Sequence, residues 1–419
     1  MIRAGNPRRA AILWTAAIAL AGYITIWTTL KSVVFAKNKS DFSCFYRAGK
    51  MVLAGDASQV YDLAAAQRYD RRLGTGFIDK QGRSFSLPFV FPPYSLTLFA
   101  ALACLPYRNA ELAWFALNVG MLLALPFALR RRGEWQDNAV IAELLAPALF
   151  LPIVLALMQG QPSILLLLLF AMVFAALADG RDASAGMVLA FATLKPQLVL
   201  PMLLALVIWR KWRTLAAFVS TSLALVGVSI AVVGRSAVWD YPAALLRFNQ
   251  LASSMGGEHP ESMPNLRGCL AALFHARLGE TGLTRVTAAL SLLLLLAMAM
   301  LLRRRKTFSP ASYSLAIVVT LLVSYHSYLH DDSLLLLPLL LMARRVCHSR
   351  WTANHVALAA AMTGLYIIPV LPTSLSATAI EMFAVMAMFS TVLALELRRE
   401  SHRVKTVEPP FTALSAAAQ

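Results

Sequence analysis

The sequence predicts an all-α polytopic membrane protein of about 12 transmembrane helices. Three observations carry this. Of its 419 residues, 59% are hydrophobic and only 14% charged. The mean hydropathy is +0.65, far from that of a soluble domain. Finally, apolar segments long enough for a bilayer alternate with short basic clusters.

In chain order, the first apolar segment runs from Ala10 to Leu30, about the length a hydrocarbon layer of roughly 30 Å requires. It has no A-x-A-like cleavage site and is expected to be a retained anchor. A long loop, residues 31–87, follows; Arg47 to Ala54 and Leu63 to Leu73 are expected there as short amphipathic helices. Phe89 to Leu105 is expected to dip into the membrane and return, because Phe91-Pro92-Pro93 cannot open as ordinary helix interior. Further crossings fit Leu112 to Leu129, Val140 to Leu157 and Ser163 to Leu177. Ala185 to Leu194 and Pro196 to Ile208 read as two broken helices or one proline-interrupted unit. Thr214 to Val233 precedes a second large loop, residues 234–282. Leu283 to Leu302, Ser312 to Tyr325, Ser333 to Met342, His355 to Val370 and Ala377 to Leu395 complete a single domain over residues 1–400. The tail, 401–419, carries Pro409-Pro410 and small residues and is expected to be disordered in the cytoplasm.

The net charge of +17 comes from clusters between apolar segments rather than from one basic face, so nucleic acid is not an expected partner. Arg8 and Arg9, Arg130 to Arg132, Arg210-Lys211 with Arg213, Arg303 to Lys306, Arg344-Arg345, and Arg398-Arg399 with Arg403 all read as cytoplasmic, placing both termini inside. The two large loops then lie outside, although the first is itself basic. Cys44, Cys104, Cys269 and Cys347 are too scattered for a zinc site or a disulfide framework.

On this topology the polar residues embedded among apolar segments collect on the outer face. They are Asp41, Arg47, Gln159, Gln161, Lys195, Gln197, Asn265, Arg267 and the stretch His326 to Asp332. Ionisable groups are costly near lipid, so their segregation predicts an outward-facing polar cavity suited to an anionic substrate.

Asp41-Phe42 with Tyr46 and Ala48-Gly49, then Gly55 and Tyr61-Asp62, Phe91-Pro92-Pro93, Gly160-Gln161, Leu194-Lys195-Pro196, the MPNLRG stretch around Asn265 and SYHSYLHDD before Leu334 form an ordered series. The series resembles the family-87 glycosyltransferases, membrane enzymes of the GT-C class. The resemblance implies a GT-C-like bundle in a bacterial cytoplasmic membrane, with its active site facing outward. The implied reaction moves a hexose, mannose favoured, from a polyprenyl-phosphate sugar to a glycolipid or glycan. The lipid-linked sugar is a co-substrate, and neither a cofactor nor a metal is expected.

In that family the first-loop Asp is understood as general base, and Asp41 matches its position. An inverting displacement needs the acceptor hydroxyl deprotonated in line with a leaving phosphate. Lys195, Arg267 and Arg47 are the candidate cations for that phosphate. Tyr46, Gln159, Gln161, Asn265, His326 and Asp331 are the candidate sugar or acceptor ligands. Tyr325 stands where a Pro is common before the His, and Asp332 is an additional acid.

Structural roles compete for the same residues. Asp41 is placed to N-cap a helix starting at Phe42, Lys195 to snorkel to an interface, Pro92-Pro93 to shape a loop, His326 and His330 to sit at the interface, and Gln161 to satisfy the backbone of a broken helix. A secondary transporter or flippase for an anionic or lipid-linked sugar is the rival function. It should show two similar halves, and the C-terminal half has no counterpart of the first loop.

Overall fold

The computed structural model describes residues 7–34, 40–78, 82, 84–129, 137–254, 260–305, 308–347 and 352–407. Expectations for Arg130 to Arg132, Lys306 and 408–419 lie outside these residues.

The described chain is helical apart from one small hairpin. Helix α1 (Pro7–Val34) leads to α2 (Phe42–Leu53) and α3 (Leu63–Leu73), followed by strands β1 (Phe77–Ile78) and β2 (Ser84–Phe85), which pair antiparallel. Then come α4 (Leu96–Ala103), α5 (Tyr107–Ala128), α6 (Asp137–Leu145), α7 (Leu151–Gln159), α8 (Ser163–Ala178), α9 (Asp182–Phe191) and α10 (Pro196–Ile208). The last elements are α11 (Trp212–Ser254), α12 (Leu266–Arg305), α13 (Pro310–Val323), α14 (Leu336–Cys347), α15 (Ala353–Ile367) and α16 (Leu375–Val407).

Among the described residues, five helices are long and apolar enough to cross a membrane, and a sixth span results if the bent pair over Val140–Leu149 and Leu151–Gln159 counts as one. The expected crossings at Ser163 to Leu177, Ala185 to Leu194, Pro196 to Ile208 and Ser312 to Tyr325 fall on apolar helices of 10–17 residues, shorter than the ~20 residues a full span takes. Ala10 to Leu30, by contrast, lies within the 28-residue α1. Two of the long helices show their setting directly. Val219, Leu223, Val226, Ile230 and Leu246 of α11 are all exposed, and so are Leu292, Leu293, Leu296 and Met300 of α12. A contiguous apolar surface of this kind belongs against lipid. At the other extreme, α13 is buried from Ala311 through Leu322, as expected for a helix apolar on all sides at the centre of a bundle.

Three differences from expectation have local causes. The stretch 234–282 is largely helical, since α11 continues past a break at Gly234 (φ 80°) and α12 begins well before its break at Gly279 (φ 60°). Hydropathy located these breaks, at Val233 and Leu283, and mistook them for helix ends. Helix α3 has the expected bounds, set by Asp62 accepting from the Ala64 N–H at 2.8 Å and by left-handed Gly74. Its neighbour α2, however, starts at Phe42 and is buried from Phe42 through Gly49. It packs on α4, and a Cβ at Gly49 would collide with the Phe99 carbonyl. So α2 belongs to the core rather than to an interface. Third, residues 401–407 of the expected tail continue α16.

The 185–208 region is two helices. Lys195 sits between them in an extended conformation (φ −124°, ψ 86°) before Pro196, which opens α10. Proline's clash with the preceding residue excludes the α region there, so the Lys-Pro pair itself makes the break.

Candidate active site

Asp41 lies just before α2, partly open to its surroundings. It does not cap the helix: its own backbone is helical and its carboxylate makes no capping bond. Oδ2 instead accepts from Gln161 Nε2 at 2.6 Å. Burial pushes the Asp41 carboxyl above the usual range, while the Gln161 hydrogen bond and the nearby Lys195 ammonium pull it back. A carboxylate poised in this way is a suitable proton acceptor.

Gln161 belongs to the turn between α7 and α8. Gly160 ends α7 at φ 68°, and a Cβ there would meet that of Phe42 at 2.7 Å. Its carbonyl accepts from Trp114 Nε1 at 2.8 Å, and Trp114 stacks on Phe42. The aromatic that follows Asp41 in sequence therefore packs on the turn that holds Asp41.

Lys195 pairs with Asp331 Oδ1. The same oxygen accepts from Ser163 Oγ at 2.7 Å, while Oδ2 accepts from the Tyr328 N–H at 3.4 Å and lies 3.6 Å from His330 Nε2. The segment 324–330 is fastened from two more directions. Asn265 Nδ2 donates to the Ser324 carbonyl at 3.1 Å, and Gln197 Nε2 donates to the His326 carbonyl at 3.3 Å. Arg267 lies with its guanidinium 4.1 Å above the Tyr325 ring. Its Nε and Nη1 are buried without a hydrogen-bond partner among the described residues. Such donors are expensive to leave unmet, and they are the natural seat for an anion.

Several expected ligand-binding side chains are instead committed within the protein. Arg47 is 1% exposed and donates to Asp70 Oδ2 and to the Leu87 carbonyl, each at 2.5 Å, while Asp70 also accepts from Thr75 Oγ1 at 2.6 Å. This is a structural ion pair tying α2 to α3. Tyr46 gives its hydroxyl to the Leu105 carbonyl at 3.0 Å. Asn265 is 0% exposed and, besides Ser324, accepts from the Gly268 N–H at 2.8 Å, so it shapes the entry to α12. Asp331 holds Lys195 rather than standing open to an acceptor. Gln159 Oε1 is buried and unpaired among the described residues, and so are both carboxylate oxygens of Asp332. Among the described residues no three His, Cys, Asp or Glu side chains converge as a metal site.

Sequence reasoning missed Ser163, whose only signal is its place two residues after Gln161. It missed Asp70 too, which carries no signal of its partner in sequence. The site therefore joins Asp41, Gln161, Ser163, Lys195 and Asp331 to the 324–330 segment, with Tyr325, His326 and Arg267 alongside.

The model of glycosyltransferase family 87 matches residues 89–324, more than half of the chain. The chain belongs to glycosyltransferase family 87. No curated protein and no solved structure matches it. Family membership makes the chain a membrane glycosyltransferase and sets aside the transporter reading. Within the matched region this glycosyltransferase carries Gln161, Ser163, Lys195 and Arg267, whereas Asp41 and Asp331 lie beyond its ends. The geometry, in which Gln161 reaches Asp41 and Lys195 reaches Asp331, connects those two acids to the family's core.

Proposed function

We propose that this enzyme transfers a hexose from a polyprenyl-phosphate donor to a glycolipid or glycan hydroxyl, with Asp41 as general base. The carrying observation is the Asp41 carboxylate held by Gln161 beside Lys195, with the unmet guanidinium of Arg267 on the adjoining segment. The acceptor hydroxyl gives its proton to Asp41 as its oxygen attacks the anomeric carbon. The bond from that carbon to the phosphate oxygen breaks, and polyprenyl phosphate leaves with the electron pair. One displacement inverts the anomeric centre. Arg267 meets the developing phosphate charge, because Lys195 already spends much of its field on Asp331. In this reading His326 and Gln159 contact sugar hydroxyls.

Mannose is the favoured hexose by resemblance, and the transfer is metal-independent at the outer face of a bacterial cytoplasmic membrane. Lipid-facing α11 and α12 support a membrane-borne donor, since Arg267 opens α12. The test is purified protein in proteoliposomes offered radiolabelled polyprenyl-phosphate mannose, polyprenyl-phosphate glucose or the nucleotide sugars, with a membrane glycolipid extract as acceptor. Label should enter acceptor from a lipid-linked hexose, mannose first. Direct use of a nucleotide sugar by the purified protein would overturn the donor assignment.

A further inference from the structure

The Gly160–Ser163 turn reaches two distant acids at once. Gln161 holds Asp41, 120 residues away in sequence, and Ser163 holds Asp331, 168 residues away. The turn itself has little freedom. Gly160 is left-handed and packed on Phe42, its carbonyl is held by Trp114, and the Gln161 N–H donates to the Ala156 carbonyl at 3.0 Å. Gln161 thus presents a rigidly based donor to a carboxylate, whereas a sugar ligand would present its amide to open space. Ser163 and Lys195 share one oxygen of Asp331, so the same turn also fixes the ammonium that faces Asp41.

We propose that this turn is the positioning element of the active site, with Gln161 orienting Asp41 for proton abstraction and Ser163 fixing the Lys195–Asp331 pair beside it. The inference rests on Asp41 acting as base, and it replaces a sugar-binding role for Gln161. Among the described residues, the charged and titratable groups facing Asp41 are Lys195 just before α10, Cys44 on α2 and Tyr107 at the start of α5. None of them is altered by a change at Gln161.

Gln161→Met keeps the length of the side chain and removes the donor. Because the lost hydrogen bond favoured the ionised form, Asp41 then ionises at higher pH. The acid limb of the kcat/KM profile should move up by about one pH unit, giving roughly tenfold loss below it and recovery above it. Gln161→Glu places a like charge beside Asp41 and should move the limb further in the same direction. Protein yield and thermal stability in detergent are read alongside, so that the profile comes from folded enzyme. A fall that is uniform at every pH, or an unmoved limb, in both variants overturns the positioning role. Asp41→Asn in the same assay separates the two claims. If Asp41→Asn still transfers sugar, the base assignment itself fails; if it is inactive while the Gln161 profiles stay parallel to wild type, only the positioning inference fails.

Discussion

Asp41→Asn is expected to lower kcat by about a thousandfold or more, within the range general-base removal produces. Asn has nearly the same shape but cannot accept a proton at working pH, so the acceptor hydroxyl must attack unassisted. The fold should be preserved, because Asp41 does not cap α2 and, among the described residues, its carboxylate accepts one side-chain hydrogen bond, from Gln161, which an amide oxygen can still accept. Donor KM should change little, since the phosphate is met by Arg267 rather than by the acid. Steady-state transfer assays on purified protein measure both constants. A variant within tenfold of wild-type kcat would remove Asp41 from the chemistry.

Arg47→Met should act on the fold instead. Arg47 and Asp70 are each about 2% exposed at their side chains, so the variant strands a carboxylate in the core between α2 and α3. Breaking a buried pair on one side costs about 3–5 kcal/mol, a large fraction of the stability of most domains. The readouts are thermal unfolding in detergent and abundance in membranes. Adding Asp70→Asn to Arg47→Met removes the stranded charge while keeping an oxygen for Thr75, and much of the loss should return. Normal stability of Arg47→Met together with a raised donor KM would restore Arg47 to phosphate binding.

How far the sequence could be read follows from which forces have local signatures. Apolar composition and length located most of the helices, and the Lys195-Pro196 step marked its break because proline sterics act on the adjacent residue. The bounds of α3 were legible as well, and the structure shows Asp62 and Gly74 setting them within a turn. Burial of α2 was not, because its polar Ser43, Arg47 and Lys50 make it read as a surface helix. Its core position depends on Asp70 neutralising Arg47 and on Gly49 admitting α4, contacts made through space. Likewise the hydropathy drop at Gly234 read as a helix end, whereas the chain changes direction and stays helical.

At the site, residue types pointed to Asp41, Gln161, Lys195, Arg267 and Asp331 as a group, and the structure links them. Their division of labour was hidden. Which acid stands open and which is committed to a lysine depends on partners 136 residues apart. Asn265 and Tyr46 look like ligand-binding residues in sequence, yet their polar atoms are taken by backbone groups of neighbouring segments. Asp41, held by Gln161, is the acid proposed as base.

The central claim, a single displacement of polyprenyl phosphate with one base, is tested most directly by the configuration of the product. A lipid-linked hexose of known anomeric configuration, labelled with carbon-13 at the anomeric carbon, is given to purified enzyme with acceptor, and the one-bond carbon–hydrogen coupling of the product is read by NMR. The mechanism requires the opposite configuration at that carbon. Retention would demand a covalent or double-displacement route and would contradict it.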